Sequence, residues 1–267
     1  MDSLTCKPLL KWVGGKRKLL PLIQKHFPKE FSSYYEPFLG GGAVFLGTSI
    51  DVPSFLSDVN SKLMDLYLTV RDHPKDLLDA IESLPFANTG EDFYIAREMY
   101  NQPLDLVERS SLFLYLNRHS FNGVYRENKS GRYNVPYGKY KNPGMVSRGH
   151  ILTASDKLQS ATLYTSTFMD LEVSNDSFVY LDPPYHNTFA QYSAGSFREE
   201  DHLTLRNWCD SVDALGGKFL LSNSDTEYIR ELYSSPKYTI VDVASETTVS
   251  GKTYGRKGTN ELLIRNY

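Results

Sequence analysis

Apolar and polar positions follow two rhythms along this chain. Short apolar runs bounded by glycine, proline or acidic residues fall at Ser33–Glu36, Ser54–Ser57, Leu163–Thr165, Ser177–Leu181, Lys218–Leu221, Tyr238–Val243 and Leu262–Arg265, and predict strands. Helical spacing marks Gly15–Phe27, Ala43–Leu46, Leu63–Val70, Pro74–Leu84, Asp92–Tyr100, Leu104–Leu116 and Glu199–Leu215. The helices between Leu63 and Leu116 follow one another with no buried strand between them. After them, Gly123–Glu127 and Arg132–Val135 flank Asn128-Lys129-Ser130-Gly131, a hairpin with a four-residue turn. The simplest parse is an α/β domain of residues 1–60 and 148–267, interrupted by a mainly helical, hairpin-bearing insertion at 61–147. Within the α/β part, the order strand, glycine turn (Gly40-Gly41-Gly42), helix, strand, acid (Asp58) is the outline of a nucleotide-binding unit.

Composition narrows the class. A chain of 267 residues, 40% hydrophobic and 23% charged, has ample material for a core and reads as soluble and globular. Cys6 and Cys209 are its only cysteines, so no disulfide framework exists and a reducing compartment fits. Met1–Pro8 has no apolar signal core, and no apolar run approaches the ~18 residues needed to cross a bilayer. The expectation is a cytoplasmic monomer, encoded by a cell or by a phage acting in its host, with no membrane partner. No His/Cys ligand cluster is visible, so no metal is expected.

Charge placement tells more than the net charge of −3. Lys7 to Lys29 holds seven basic residues and no acid; Arg118 to Lys141 holds six against Glu127 alone. In the second segment Phe121, Tyr125, Tyr133, Tyr137 and Tyr140 interleave the charges. Two cationic segments on an otherwise acidic body suit a polyanion groove, although lysines on a helix face can equally be solvated.

The chemistry gathers at four places. Asp182-Pro183-Pro184-Tyr185 closes an apolar strand, where ligands of open α/β sheets sit. Consecutive prolines fix φ and contribute no N–H, exposing a carbonyl acceptor beside a carboxylate and an aromatic plate. An adenine amino group needs two such acceptors, and its ring needs a stacking partner; an ordinary strand-ending turn would look the same. Phe38-Leu39-Gly40-Gly41-Gly42 allows close approach of backbone to a ligand, or is a plain tight turn. Asp58 either binds a ribose diol or caps the next helix. Lys11-Trp12-Val13-Gly14-Gly15-Lys16 sets an aromatic and a lysine about a glycine hinge at a helix start, which favours a carboxylate ligand; the alternative is a buried Trp12 and a surface Lys16.

Together with Glu36-Pro37, Asp58-Val59-Asn60, Leu116-Asn117-Arg118, Phe121-Asn122-Gly123, Arg126, Tyr133, the run Asn134 to Lys141, Ser222-Asn223-Ser224 and Glu261-Leu262-Leu263, these pieces resemble the Dam-type DNA adenine methyltransferases over nearly the whole chain. The resemblance implies a Rossmann-like S-adenosylmethionine-dependent domain with an inserted DNA-recognition domain, acting on double-stranded DNA. It implies that Trp12, Lys16, Phe38, Gly40, Gly42, Asp58 and Asp182 form the cofactor site and that Asp182, Pro183, Pro184 and Tyr185 hold the target adenine. Phe121 becomes the expected wedge in the vacated base stack, in place of a core phenylalanine, with Asn122 near the orphaned partner base. Arg126 and Lys11 are expected to read bases, and Lys139, Tyr140 and Lys141 to meet phosphate. Many relatives recognise GATC, which makes it the leading site. Enzymes acting on cytosine N4, RNA adenine or protein glutamine are the rivals, as is a catalytically dead DNA-binding scaffold. Aspartate rather than asparagine at 182, and the insertion, argue against a glutamine enzyme; intact Lys16, Asp58 and Asp182 argue against the scaffold.

Overall fold

The computed structural model describes residues 5–187, 197–243 and 261–267. The first four residues, part of the segment read above as lacking a signal core, lie outside these. The described strands are β1 (Tyr34–Glu36), β2 (Ser54–Asp58), β3 (Ala161–Thr165), β4 (Phe178–Leu181), β5 (Lys218–Ser224), β6 (Thr239–Val243) and β7 (Glu261–Arg265). They form one sheet in the order β3-β2-β1-β4-β5-β7-β6. The pairs among β1 to β5 are parallel, and β7 runs antiparallel to both β5 and β6. This is a Rossmann-like α/β sheet with an antiparallel seventh strand.

The period-2 pattern explains the layering, because successive side chains of a strand leave on opposite faces. Tyr34, Tyr180, Leu220 and Leu263 join one apolar cluster; their neighbours Tyr35, Val179, Leu181, Leu221 and Leu262 join the other. The second face is covered by α8 (Glu199–Ala214) through Leu205, Cys209 and Val212, and by α9 (Glu227–Leu232) through Ile229. The first is covered by α1 (Leu20–Lys25), α2 (Ala43–Gly47), α3 (Ser61–Asp72) and α7 (Arg148–Leu158). The apolar cluster on that face continues without a break into α4 (Pro74–Glu82), α5 (Gly90–Tyr100), α6 (Leu106–His119), Tyr133 and Val135.

The structure revises three local expectations. Gly15–Phe27 is not one helix: a 3-10 turn at Lys16–Lys18 precedes α1, because Pro21 cannot sit within a helix interior and instead occupies the first turn of α1. The hairpin keeps its turn, with Asn128 N–H donating to the Arg132 carbonyl at 2.9 Å, but its ladder shrinks to the single bridge Glu127–Tyr133, and Gly123 belongs to a 3-10 turn, Phe121–Gly123. The helix α7 was not foreseen. Its Arg-Gly-His opening has modest propensity, but Ser147 caps it and Ile151, Ala154 and Leu158 pack at helical spacing.

On leaving β1 the chain crosses to β2 and β3 on one side, and from β4 to β5 on the other. The crevice at such a reversal, outside the carboxyl ends of β1 and β4, is where an open α/β sheet receives ligands.

Candidate active site

Glu36, Asp58 and Asp182 stand at the carboxyl ends of β1, β2 and β4, so three acidic residues gather at that edge of the sheet. Asp58 does not cap α3. Asn60 takes that position, its side chain accepting from Leu63 N–H at 3.1 Å, which leaves Asp58 to accept Gly40 N–H and Asn60 N–H, both at 2.9 Å. The carboxylate thereby ties the glycine turn to the end of β2. A side chain at Gly40 or Gly41 would meet Trp12, with a Cβ at 2.9 Å from its Cδ1 or Cβ respectively. Gly42 has φ +64°, and its Cβ would lie 2.9 Å from the Tyr67 hydroxyl, so glycine is required twice over. Phe38 packs against Phe168 and Phe197 on the other side of the turn.

Lys16 and Trp12 reverse one alternative reading. Lys16 is buried, at 5% exposure, whereas Trp12 is half-buried. The Lys16 ammonium lies 2.7 Å from Asp182 Oδ1, donates to the Gly14 carbonyl at 2.6 Å and sits 4.7 Å from the centre of the Tyr185 ring. Burial pushes the Asp182 carboxyl above its ordinary range, and Lys16 opposes that rise. The Tyr185 hydroxyl donates to Glu261 at 2.7 Å, anchoring the aromatic ring to the start of β7.

The second constellation assembles around α6. Asn117, buried, accepts Lys11 N–H at 2.9 Å and donates to the carbonyls of Lys11 and Gly123 at 2.8 and 3.0 Å. It thus fastens the N-terminal segment to the turn that carries Phe121 and Asn122. Phe121 is 55% exposed, which excludes a core role. Asn122 has φ +55°, and its N–H donates to the Tyr140 hydroxyl at 2.8 Å, while Lys11 Nζ lies 4.4 Å from the Tyr140 ring centre. Lys11, Phe121, Asn122 and Tyr140 are therefore neighbours. Lys139 and Lys141 are exposed on either side of Tyr140, on backbone held by Asn88 through the Tyr140 carbonyl at 2.7 Å. Arg126 donates to Asn134 twice, from Nε to Oδ1 at 2.7 Å and from a terminal nitrogen to the carbonyl at 3.2 Å, so its guanidinium is oriented.

Glu36, Asn117 and Glu261 carried no role in the sequence reading. The available signal was a charged or polar residue inside a stretch that is otherwise apolar and buried. Glu36 is 2% exposed; Tyr34 hydroxyl and Phe45 N–H both donate to its Oε2, at 2.6 and 3.1 Å. Burial, with Asp182 nearby, pushes its carboxyl up to about 8. The folded protein therefore holds a proton there that the unfolded chain has released. Stability contributed by this group is complete below about pH 4.5 and is lost as pH rises towards 8. Glu36→Gln is expected to flatten the fall of the melting temperature between pH 5 and 8, leaving the variant the more stable protein at alkaline pH, as calorimetry at both ends of the window can show.

Among the described residues, no group of three or more His, Cys, Asp and Glu is placed to hold a metal ion, and no helix is long and apolar enough to cross a membrane.

A seven-stranded sheet with this strand order and an antiparallel seventh strand, a glycine turn after β1, an acid after β2 and Asp-Pro-Pro-Tyr after β4 are the arrangement that the resemblance to amino-methyltransferases implies. The profile of the D12 class N6 adenine-specific DNA methyltransferases matches residues 12–249, and the chain belongs to that family. It is 36% identical to the DNA adenine methylase of Escherichia coli strain K12 over 266 residues, covering 96% of this chain and 94% of the relative. It is 34% identical to the type II methyltransferase M.MjaIII of Methanocaldococcus jannaschii, covering 98% and 99%, and 32% identical to the type II methyltransferase M1.LlaDCHI of Lactococcus lactis subsp. cremoris, covering 100% and 97%. The protein is an adenine-specific DNA methyltransferase.

Proposed function

We propose that the protein transfers a methyl group from S-adenosylmethionine to N6 of an adenine flipped out of duplex DNA, at a short sequence that we take to be GATC. The observation that carries this reading is the meeting of Lys16, Asp182 and Tyr185 at the end of β4, beside the glycine turn under Trp12.

The site fits the cofactor. Glycine at 40 and 41 lets the Trp12 indole lie directly on the turn, where it offers a flat wall, and the Asp58 carboxylate keeps acceptor capacity for a ribose hydroxyl beside the backbone N–H groups it accepts. Lys16 supplies the cation for the amino-acid carboxylate. When bound, the sulfonium supplies an electrophilic methyl group.

This chain's own residues do the rest. The lone pair of an adenine amino nitrogen is delocalised into the ring. Asp182 and the Pro183 carbonyl accept its two N–H groups, draw the nitrogen towards tetrahedral geometry and stabilise the positive charge that develops on it, until one of the two amino protons is lost to solvent and the neutral methylamino group remains. Tyr185 stacks on the base, a contact worth about 1–3 kcal/mol. Phe121 takes the place of the base that left the stack, since the target atom cannot be reached inside a duplex. Residues 61–147 serve as the target-recognition domain, with Arg126 and Lys11 reading bases and Lys139, Tyr140 and Lys141 holding phosphates.

Calorimetry tests the cofactor half of this reading. Lys16→Ala and Asp58→Ala are each expected to weaken binding of S-adenosylmethionine while the methylated sequence stays the same. Normal cofactor binding together with a changed DNA site would show that the roles of the two constellations are reversed.

A further inference from the structure

The hairpin segment meets the cofactor wall at Tyr125. Its ring stacks on Trp12, with centroids 5.7 Å apart and planes 25° from parallel. Trp12 is the residue against which Gly40 and Gly41 are packed. The hydroxyl of Tyr125 donates to Glu127, and Glu127 is bound in turn by Lys62 of α3 at 2.5 Å. Lys62 also donates to the carbonyl of Gly131, at the far side of the hairpin turn, at 3.0 Å. Phe113 and Tyr133 pack on Tyr125 at 5.1 and 5.7 Å and leave its ring little freedom. Residues 125 and 127 are thus both tied inward, one to Trp12 and one to α3. Arg126, between them, is bound instead to Asn134.

We propose that Tyr125 is a positioning residue for sequence discrimination: through its stack on Trp12 it links occupancy of the cofactor site to the placement of Arg126. The proposal rests on the reading of Trp12 as cofactor wall and Arg126 as base reader. A ligand seated against Trp12 fixes that indole; the stacked phenol is fixed with it, and so is the backbone from which Arg126 projects. The linkage is reciprocal, so DNA bound at the correct sequence also tightens the cofactor site. The polar half of the joint, from Tyr125 through Glu127 to Lys62, holds the hairpin whether or not the cofactor site is filled. The aromatic half alone is sensitive to it.

The test is a set of DNA affinities measured with and without S-adenosylhomocysteine, which occupies the site without reacting. Each protein is titrated with a duplex carrying the sequence it methylates and with a duplex altered at one base pair. In the wild type the analogue is expected to widen the ratio between the two duplexes by on the order of tenfold, within the usual range for coupled sites. In Tyr125→Leu the widening should vanish while the analogue's own affinity changes little. Tyr125→Phe keeps the ring on Trp12 and should keep the widening, which separates coupling from general damage to the hairpin. Undiminished widening in Tyr125→Leu, or none in the wild type, overturns the proposal. The underlying reading is checked separately in a Trp208→Phe background, where Trp12 is the one remaining tryptophan. If the analogue binds without changing its fluorescence, or does not bind, the cofactor assignment is wrong and the proposal falls with it.

Discussion

Replacing Asp182 by alanine is expected to lower turnover by ~10²–10³-fold, the scale for losing one preorganised electrostatic group at a reacting centre. In the proposed mechanism the carboxylate accepts one amino hydrogen and faces the charge that grows on nitrogen, and water entering the vacated space would be a poor substitute because it must reorient as the charge appears. Folding should survive. Asp182 ends β4 rather than lying within it, and its side chain is 20% exposed. Lys16 keeps the Gly14 carbonyl and the face of Tyr185 as partners. The loss of stability should therefore stay below the ~3–5 kcal/mol expected when a fully buried ion pair loses one member. Single-turnover rates and thermal midpoints measured side by side separate the two effects. A well-folded variant with near wild-type turnover would remove Asp182 from the chemistry.

The second large effect is expected at recognition, where two residues should fail in different ways. Arg126→Ala is expected to cost about 1–3 kcal/mol, roughly 5- to 150-fold, at one base pair and to relax discrimination there, as the loss of a bidentate contact would. The two bonds from Asn134 orient the guanidinium, so Asn134→Ala should show part of the same defect. Lys139→Ala should instead weaken binding to every sequence alike and reduce the salt slope by about one, as loss of a phosphate contact does. Methylation rates on the best site and on each single-base variant, at two salt concentrations, tell these apart. A uniform loss for Arg126→Ala would demote it to backbone positioning and leave Lys11 as the base reader.

The strands were legible because β4 and β5 read as apolar runs covered on both faces, the signature of a parallel sheet. Local pattern failed where tertiary contacts decide. Nothing in the spacing of Asp58 tells a helix cap from a ligand-facing carboxylate; Asn60, two residues on, takes the cap and leaves Asp58 on the glycine turn. The burial of Lys16 is invisible locally, since its partner Asp182 lies far along the chain. The same holds for Glu261 on Tyr185, and for Asn117, which bonds to Lys11 and so joins the two basic segments. The interleaved aromatics of the second basic segment were a usable signal, but they divide by environment. Phe121 is exposed, Tyr133 is core, and Tyr125 packs on Trp12.

The central claim, methyl transfer to adenine N6 at one short DNA sequence through Asp182, is met most directly by sequencing genomic DNA from a methylation-free host that expresses either the wild type or Asp182→Ala, with a method that reads modified bases. The wild type should leave N6-methyladenine at a single short motif, proposed to be GATC, and the variant should leave almost none. Unmodified DNA from well-expressed wild type, methyl groups on cytosine, or equal modification by both proteins would contradict it.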